Sequence, residues 1–244
     1  MLGKKTNKYK SSSFWSDIRS YFIAKPEIKT LVEYKTPQER ENYSKRILQR
    51  LNIDVTEYSV LNIHKIGIEI PARYVFEELL RWDGRSKYWP NQVARVKRIN
   101  GNLENILIYT FGLEKISWNW FKLKEFKITP LFHMTALKFQ HSSPVSDDDN
   151  ARYLLYKCSG GYPIGIFTLY VRSSIAENNE TEKAQLFSMV AFNFYGGKKW
   201  FHNYIIYWIW EKIHNRVTAN ILNRIKVIFE KKFNDSIAEL ERTH

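Results

Sequence analysis

Hydrophobic positions recur every three or four residues toward both ends of the 244-residue chain and every second residue through its middle. Helices are therefore expected to flank a sheet. Near the N-terminus, Phe14, Trp15, Ile18 and Phe22 fall at helical spacing, and Pro26 ends the pattern. The run Thr36-Pro37-Gln38-Glu39 then offers an N-cap, a proline at the first helical position and a glutamate at the third. This capping box should open a second helix that buries Tyr43, Ile47, Leu48 and Leu51. From residue 59 the period changes to two. In LNIHKIGIEI, His64, Ile66, Ile68 and Ile70 share one face while Lys65 and Glu69 share the other, the pattern of a half-buried strand. Pro71 then opens a short helix with an apolar stripe of Val75, Phe76, Leu79 and Leu80, and DGRSKYWP breaks it as a loop.

Six strand candidates follow: VARVKRI, NILIYTF, ISWNWFKLKEF, FHMTALKFQH, the long YLLYKCSGGYPIGIFTLYV and AQLFSMVAFNFY. INGN is a tight turn with Gly101 available for a positive φ, and SSPVSDDDN and AENNETE are polar hairpin loops. Gly160, Gly161, Pro163 and Gly165 predict a bulge or sharp bend within the long stretch. One long helix, from about Trp200 to Phe233, closes the pattern. The expected fold is α+β: a curved antiparallel sheet covering its concave face with the C-terminal helix, preceded by an N-terminal helical extension. The expected divisions are a basic tail and helical arm over 1–57, the sheet-and-helix domain over 58–234, and a tail over 235–244.

Pro71 directly after the first strand, the Trp89-Pro90 loop and the terminal HNRVTANILNRIKVIFE together resemble the START and polyketide-cyclase (SRPBCC) superfamily of helix-grip proteins over residues 59 to 233. The resemblance implies a sheet gripping the long helix, with an apolar cavity between them for a lipid, polyketide or similar molecule. The superfamily includes passive binders and transfer proteins as well as cyclases and aromatases, so fold alone does not choose the chemistry.

Composition narrows the partners. Aromatics make up 16% of the residues, which suits a roomy apolar interior. Lysine and arginine exceed aspartate and glutamate by 38 − 25 = 13, a charge that attracts phosphates or anionic lipid. No nucleic-acid module accompanies it, and nucleic acid is not an expected partner. The single Cys158 excludes an internal disulfide and argues against a cysteine zinc site, which fits a reducing compartment. No apolar core of about 7–15 residues follows the basic start, and no run approaches the roughly 20 residues of a bilayer span. A cytoplasmic location is expected, with the sequons at Asn42 and Asn179 as chance matches.

The C-terminal helix carries an apolar residue at every fourth position: Ile205, Ile209, Ile213, Val217, Ile221 and Ile225. Four residues overshoot a turn by about 40°, so this stripe winds around the helix. His214 and Thr218 lie off the stripe where it begins but share the side of Ile221 and Ile225. Ile213, His214 and Val217 are thus candidate cavity residues; the alternative is that His214 packs against the first helix or the arm. His64 and His133 both fall in the apolar phase of their strands, His133 with Leu131, Leu137 and Phe139. An imidazole in an apolar cavity is held neutral by desolvation and can serve as base, acid or polar anchor. These two are the catalytic candidates, unless they are core histidines satisfied by neighbours. Trp118 and Trp120 on one strand face and Tyr156 on another offer flat surfaces to a ligand, or plain core packing. Gly196, Gly197 and Lys198 could present backbone N–H groups and charge to an anion, or simply make the turn. Neither a metal nor a cofactor is expected.

Three functions follow. The first is binding or transfer of a hydrophobic small molecule between sheet and helix. The second is a cyclase-type enzyme using a cavity histidine or tyrosine for proton transfer. The third is docking of the basic N-terminal arm on an anionic membrane or an acidic partner.

Overall fold

The computed structural model describes residues 16, 19–50, 60–82, 94–110, 115–116, 126–127, 130, 132–139, 151–160, 165–174, 183–192 and 204–243. Seven strands form one antiparallel sheet: β1 (Val60–Ile68), β2 (Ala94–Ile99), β3 (Asn102–Thr110), β6 (Phe132–Phe139), β7 (Ala151–Gly160), β8 (Ile166–Ser174) and β9 (Lys183–Phe192). Their spatial order is β1-β9-β8-β7-β6-β3-β2, so the first strand pairs with the last. The short β4 (Lys115–Ile116) and β5 (Phe126–Lys127) pair separately. Among the described residues three α-helices accompany the sheet: α1 (Pro37–Arg50), α2 (Ala72–Leu80) and α3 (Tyr204–Thr243).

Turn chemistry explains where the expected strands divide. Asn100 and Gly101 both have positive φ, 54° and 72°, and close a two-residue hairpin between β2 and β3. The long glycine-containing stretch is two strands rather than one bent strand. Lys157 pairs antiparallel with Ile166, so the chain reverses between β7 and β8 where the glycines and Pro163 fall. ISWNWFKLKEF is likewise not one strand, since Ile116 pairs antiparallel with Phe126.

The inner face of the sheet meets α3. Ile66, Ile68, Ile106, Met134, Tyr156 and Leu186 pack with Leu222, Ile225 and Phe229, and none is more than 2% exposed. Each such side chain contributes roughly 1.5–3 kcal/mol by leaving water. The four-residue stripe of α3 winds as expected: Ile209 and Ile213 are 44% and 46% exposed, Val217 and Ile221 half-buried, and Ile225 buried. The helix runs ten residues beyond the expected Phe233, because no glycine or proline interrupts it and the Ser236 hydroxyl donates to the Lys232 carbonyl one turn back. None of the described helices is long and apolar enough to cross a membrane.

Helix α2 is fixed at its C-terminus and to α3. Arg98 donates to the carbonyls of Trp82 and Leu80 at 2.8 and 2.9 Å, satisfying groups that the helix end leaves free. Buried Glu78 accepts from Arg81 at 2.6 Å and from Lys232 of α3 at 2.5 Å.

The N-terminal segment covers what the sheet leaves open. Of the expected first helix, Phe14, Trp15 and Ile18 lie outside the described residues, and Phe22 sits in a π-helical turn over Arg19–Ile23. Residues 30–32 then lie along the free edge of β1: Lys65 N–H donates to Thr30 O at 2.7 Å, and Val32 N–H donates to Ile63 O at 2.9 Å. Helix α1 begins as expected, with Glu39 N–H donating to Thr36 Oγ1 at 3.1 Å, although the Glu39 carboxylate reaches Lys35 N–H at 2.9 Å rather than the cap residue itself. Val32 and Tyr43 pack on the outer face of the sheet, against a second apolar cluster that includes Tyr153, Leu155, Phe187 and Met189.

Candidate functional site

Strand β1 carries an uncharged polar end on its inner face. His64 lies in phase with Ile66 and Ile68 but one turn of the pleat nearer the strand's start, opposite Ser188 of β9, and Asn62 follows at the next inward position. Asn62, His64 and Ser188 are all buried. Against them stands the first half of α3. His64 Nε2 lies 3.2 Å from Asn215 Oδ1, and His64 Nδ1 lies 2.9 Å from Thr30 Oγ1 of the arm. An amide oxygen only accepts, so the neutral ring carries its proton on Nε2 and accepts the Thr30 hydroxyl proton at Nδ1. One imidazole thus joins arm, sheet and C-terminal helix.

Both histidines of this cluster are held neutral. Burial pushes His64 down to about 4, with the Asn215 hydrogen bond opposing. Burial pushes His214 further down, to about 3; nearby His64 adds to the shift and Asn215 opposes it. His214 is half-buried as a residue, yet its Nδ1 is sealed from solvent and has no hydrogen-bond partner among the described residues. Its ring stacks on Trp210 with centroids 4.8 Å apart and 16° between planes. Asn62 Nδ2 is also buried without a hydrogen-bond partner among the described residues.

The remaining sequence candidates separate. Ile213 points outward and Val217 sits at the edge of the helix–sheet contact. Tyr156 is fully buried in the core; its hydroxyl donates to Leu103 O at 3.1 Å, and burial raises its pKa. Cys158 is buried with its thiol pushed up to about 12, unsuited to a thiolate. Trp118, Trp120, Gly196, Gly197 and Lys198 lie outside the described residues.

His133 does not share the inner face with His64. Met134, its neighbour, is in the inner core opposite Cys158, so His133 points to the other side. The misassignment has a physical cause in a register shift between Ala136 and Lys138. Met134 aligns with inward Cys158 before it, whereas Phe139 aligns with inward Leu154 after it, so the period of two changes phase within the strand. An alternation read across that shift is therefore a false guide to the face of His133.

Asn62, Thr30, Trp210 and Asn215 were not singled out from the sequence. A signal for one of them was present: the sheet-facing stretch of α3, before Phe229, carries asparagines at 215, 220 and 223, and asparagine is a poor interior helix residue. Each has a tertiary partner. Asn215 meets His64, Asn220 Nδ2 donates to Tyr21 O and Ala24 O at 2.8 and 3.0 Å, and Asn223 both accepts from Ile28 N–H and donates to Ile28 O, each at 3.0 Å.

Sheet order, inner core and gripped C-terminal helix define an α+β protein of the helix-grip type. No family model matches the chain, and no curated protein matches it. Among solved structures it is similar to the Zhui aromatase/cyclase from Streptomyces sp. R1128, with 9% identity and a TM-score of 0.39 over 70% of this chain and 92% of that one. It is also similar to an uncharacterized protein from Bacillus thuringiensis, with 9% identity and a TM-score of 0.32 over 67% of this chain and 99% of that one. The fold assignment rests on the chain's own strand order and register.

Proposed function

We propose that the chain binds a hydrophobic small molecule against the inner face of the sheet, at the end where α3 begins, with an uncharged oxygen of the ligand bonded to His214. The observation that carries this reading is the sealed, unsatisfied Nδ1 of His214 beside Trp210. A buried polar atom left without a partner costs about 1–3 kcal/mol, which a ligand hydroxyl or carbonyl would recover. Asn62 Nδ2 offers a second donor on the same side of the sheet.

Charge selects the class of ligand. Thr30, Asn62, His64, Ser188, His214 and Asn215 carry no formal charge when both rings are neutral, so a carboxylate or phosphate would be desolvated without a cation. A ketone, ester or alcohol on an apolar body fits. His64 is a positioning residue, since both its nitrogens are already engaged. Proton transfer of the cyclase kind has less support, because His64 and His133 lie on opposite faces.

Nile red, an uncharged apolar dye with a carbonyl oxygen, provides a direct test. The protein should bind it with blue-shifted emission, and His214→Leu should weaken binding about tenfold, the equivalent of one hydrogen bond of roughly 1.4 kcal/mol. Equal affinity in the variant would contradict the role of His214; no binding by the parent chain would contradict the site.

A further inference from the structure

The outward side of α3 has no role in the helix–sheet contact, and it is not a typical solvated face. Trp208, Ile209 and Ile213 are 46%, 44% and 46% exposed at its start, and Val227 is 50% exposed further on. At about 100° per residue, Ile209, Ile213, Asn220 and Val227 fall within about 60° of one another over about 27 Å of helix. Between Ile213 and Val227 the N-terminal segment crosses this same side, held by Asn220 and Asn223, and adds exposed Ile23 and Ile28. Helix and arm together present exposed apolar side chains along one side.

Basic side chains are interspersed on that side: by the same count Lys212, Arg216, Arg224 and Lys231 all fall within about 60° of Ile209. All four are exposed, and Lys25 is exposed between the two arm isoleucines. Lys212 Nζ sits 3.6 Å from the Trp208 ring centroid, a pairing that keeps an aromatic and a cation at one level. Glu230, at the margin, is paired with Lys226 at 2.5 Å, and Glu27 is the exposed acidic residue beside Ile28. Trp208 lies about 100° around the helix from Ile209, so the outward side spreads exposed Trp, Ile and Val among Lys and Arg over a broad face, a composition that suits a helix resting on a membrane interface. The chain's formal net charge of +13 adds a long-range attraction to anionic headgroups.

We propose that this outward side of α3, with the arm laid across it, docks on an anionic bilayer surface. The contact is peripheral: isoleucine and tryptophan enter the headgroup boundary while the basic residues meet lipid phosphates. It places the start of α3, and with it the His214 end of the sheet, next to the membrane. The docking surface shares no residue with the proposed ligand site and stands or falls separately from it.

Co-sedimentation of the full chain with vesicles provides the test. Vesicles of phosphatidylcholine with an equal share of phosphatidylglycerol should carry the protein down, pure phosphatidylcholine much less, and added salt should release it. The double variant Ile209→Glu, Ile213→Glu should bind at least about tenfold more weakly, while its thermal melting stays close to that of the parent because both positions are exposed. No binding to the anionic vesicles, or binding unchanged by the double substitution, overturns the proposal. So does a parent chain that dimerises through this face and ignores vesicles, as read by sedimentation velocity.

Discussion

Phe229→Ala should destabilise the fold by about 3–5 kcal/mol, a large part of the total stability of an ordinary domain. Phe229 is 1% exposed and belongs to the inner core that α3 forms with the sheet. Truncation removes the buried ring and leaves a cavity that the neighbouring strands, held in one antiparallel sheet, have little freedom to fill. Its neighbours Leu222 and Ile225 come from the same helix, so a loosened ring position also weakens the grip on the rest of α3. Urea unfolding should show the loss as a lower midpoint with an unchanged slope. A loss below about 1 kcal/mol would mean that α3 is not the element the sheet closes on.

Acidification should produce the second large effect. His64 and His214 are held neutral in the folded chain, with values of about 4 and about 3, whereas an unfolded histidine titrates near 6.5. Between those values the unfolded chain binds more protons than the folded one, so stability falls as pH falls. The contribution is complete above about pH 6.5 and is lost progressively toward pH 4 and below, on the order of a few kcal/mol in total. Loss of the His64 contacts would also free Thr30 and Asn215, so the arm and the start of α3 should loosen first. Urea midpoints at pH 7.5 and pH 4.5 test this in the parent and in His214→Leu. The variant should lose less stability over the interval; equal losses would show that the ring is not buried neutral.

How far the sequence spoke for the fold depended on local chemistry. The even-numbered face of β1, the helix after Pro71, the Asn100-Gly101 turn and the winding stripe of α3 were legible because each rests on periodicity or backbone preference within a few residues. The reversals between β7 and β8 and between β4 and β5 were not, because an apolar run looks the same whether it continues or folds back. His64 was found by its phase on β1, and His214 by its angle on α3. Their relation was not legible: it depends on Asn215, 151 residues from His64 in sequence, and on Thr30, 34 residues away. His133 went astray because a register shift in β6 breaks the alternation on which the inference depended.

An apolar molecule with an uncharged oxygen is proposed to occupy the His214 end of the helix–sheet interface. Mass spectrometry of the purified chain under native conditions tests it most directly. The spectrum should show a species heavier than the polypeptide by one small molecule, which Nile red displaces and which His214→Leu retains poorly. The mass of the polypeptide alone, before and after addition of the dye, would contradict it.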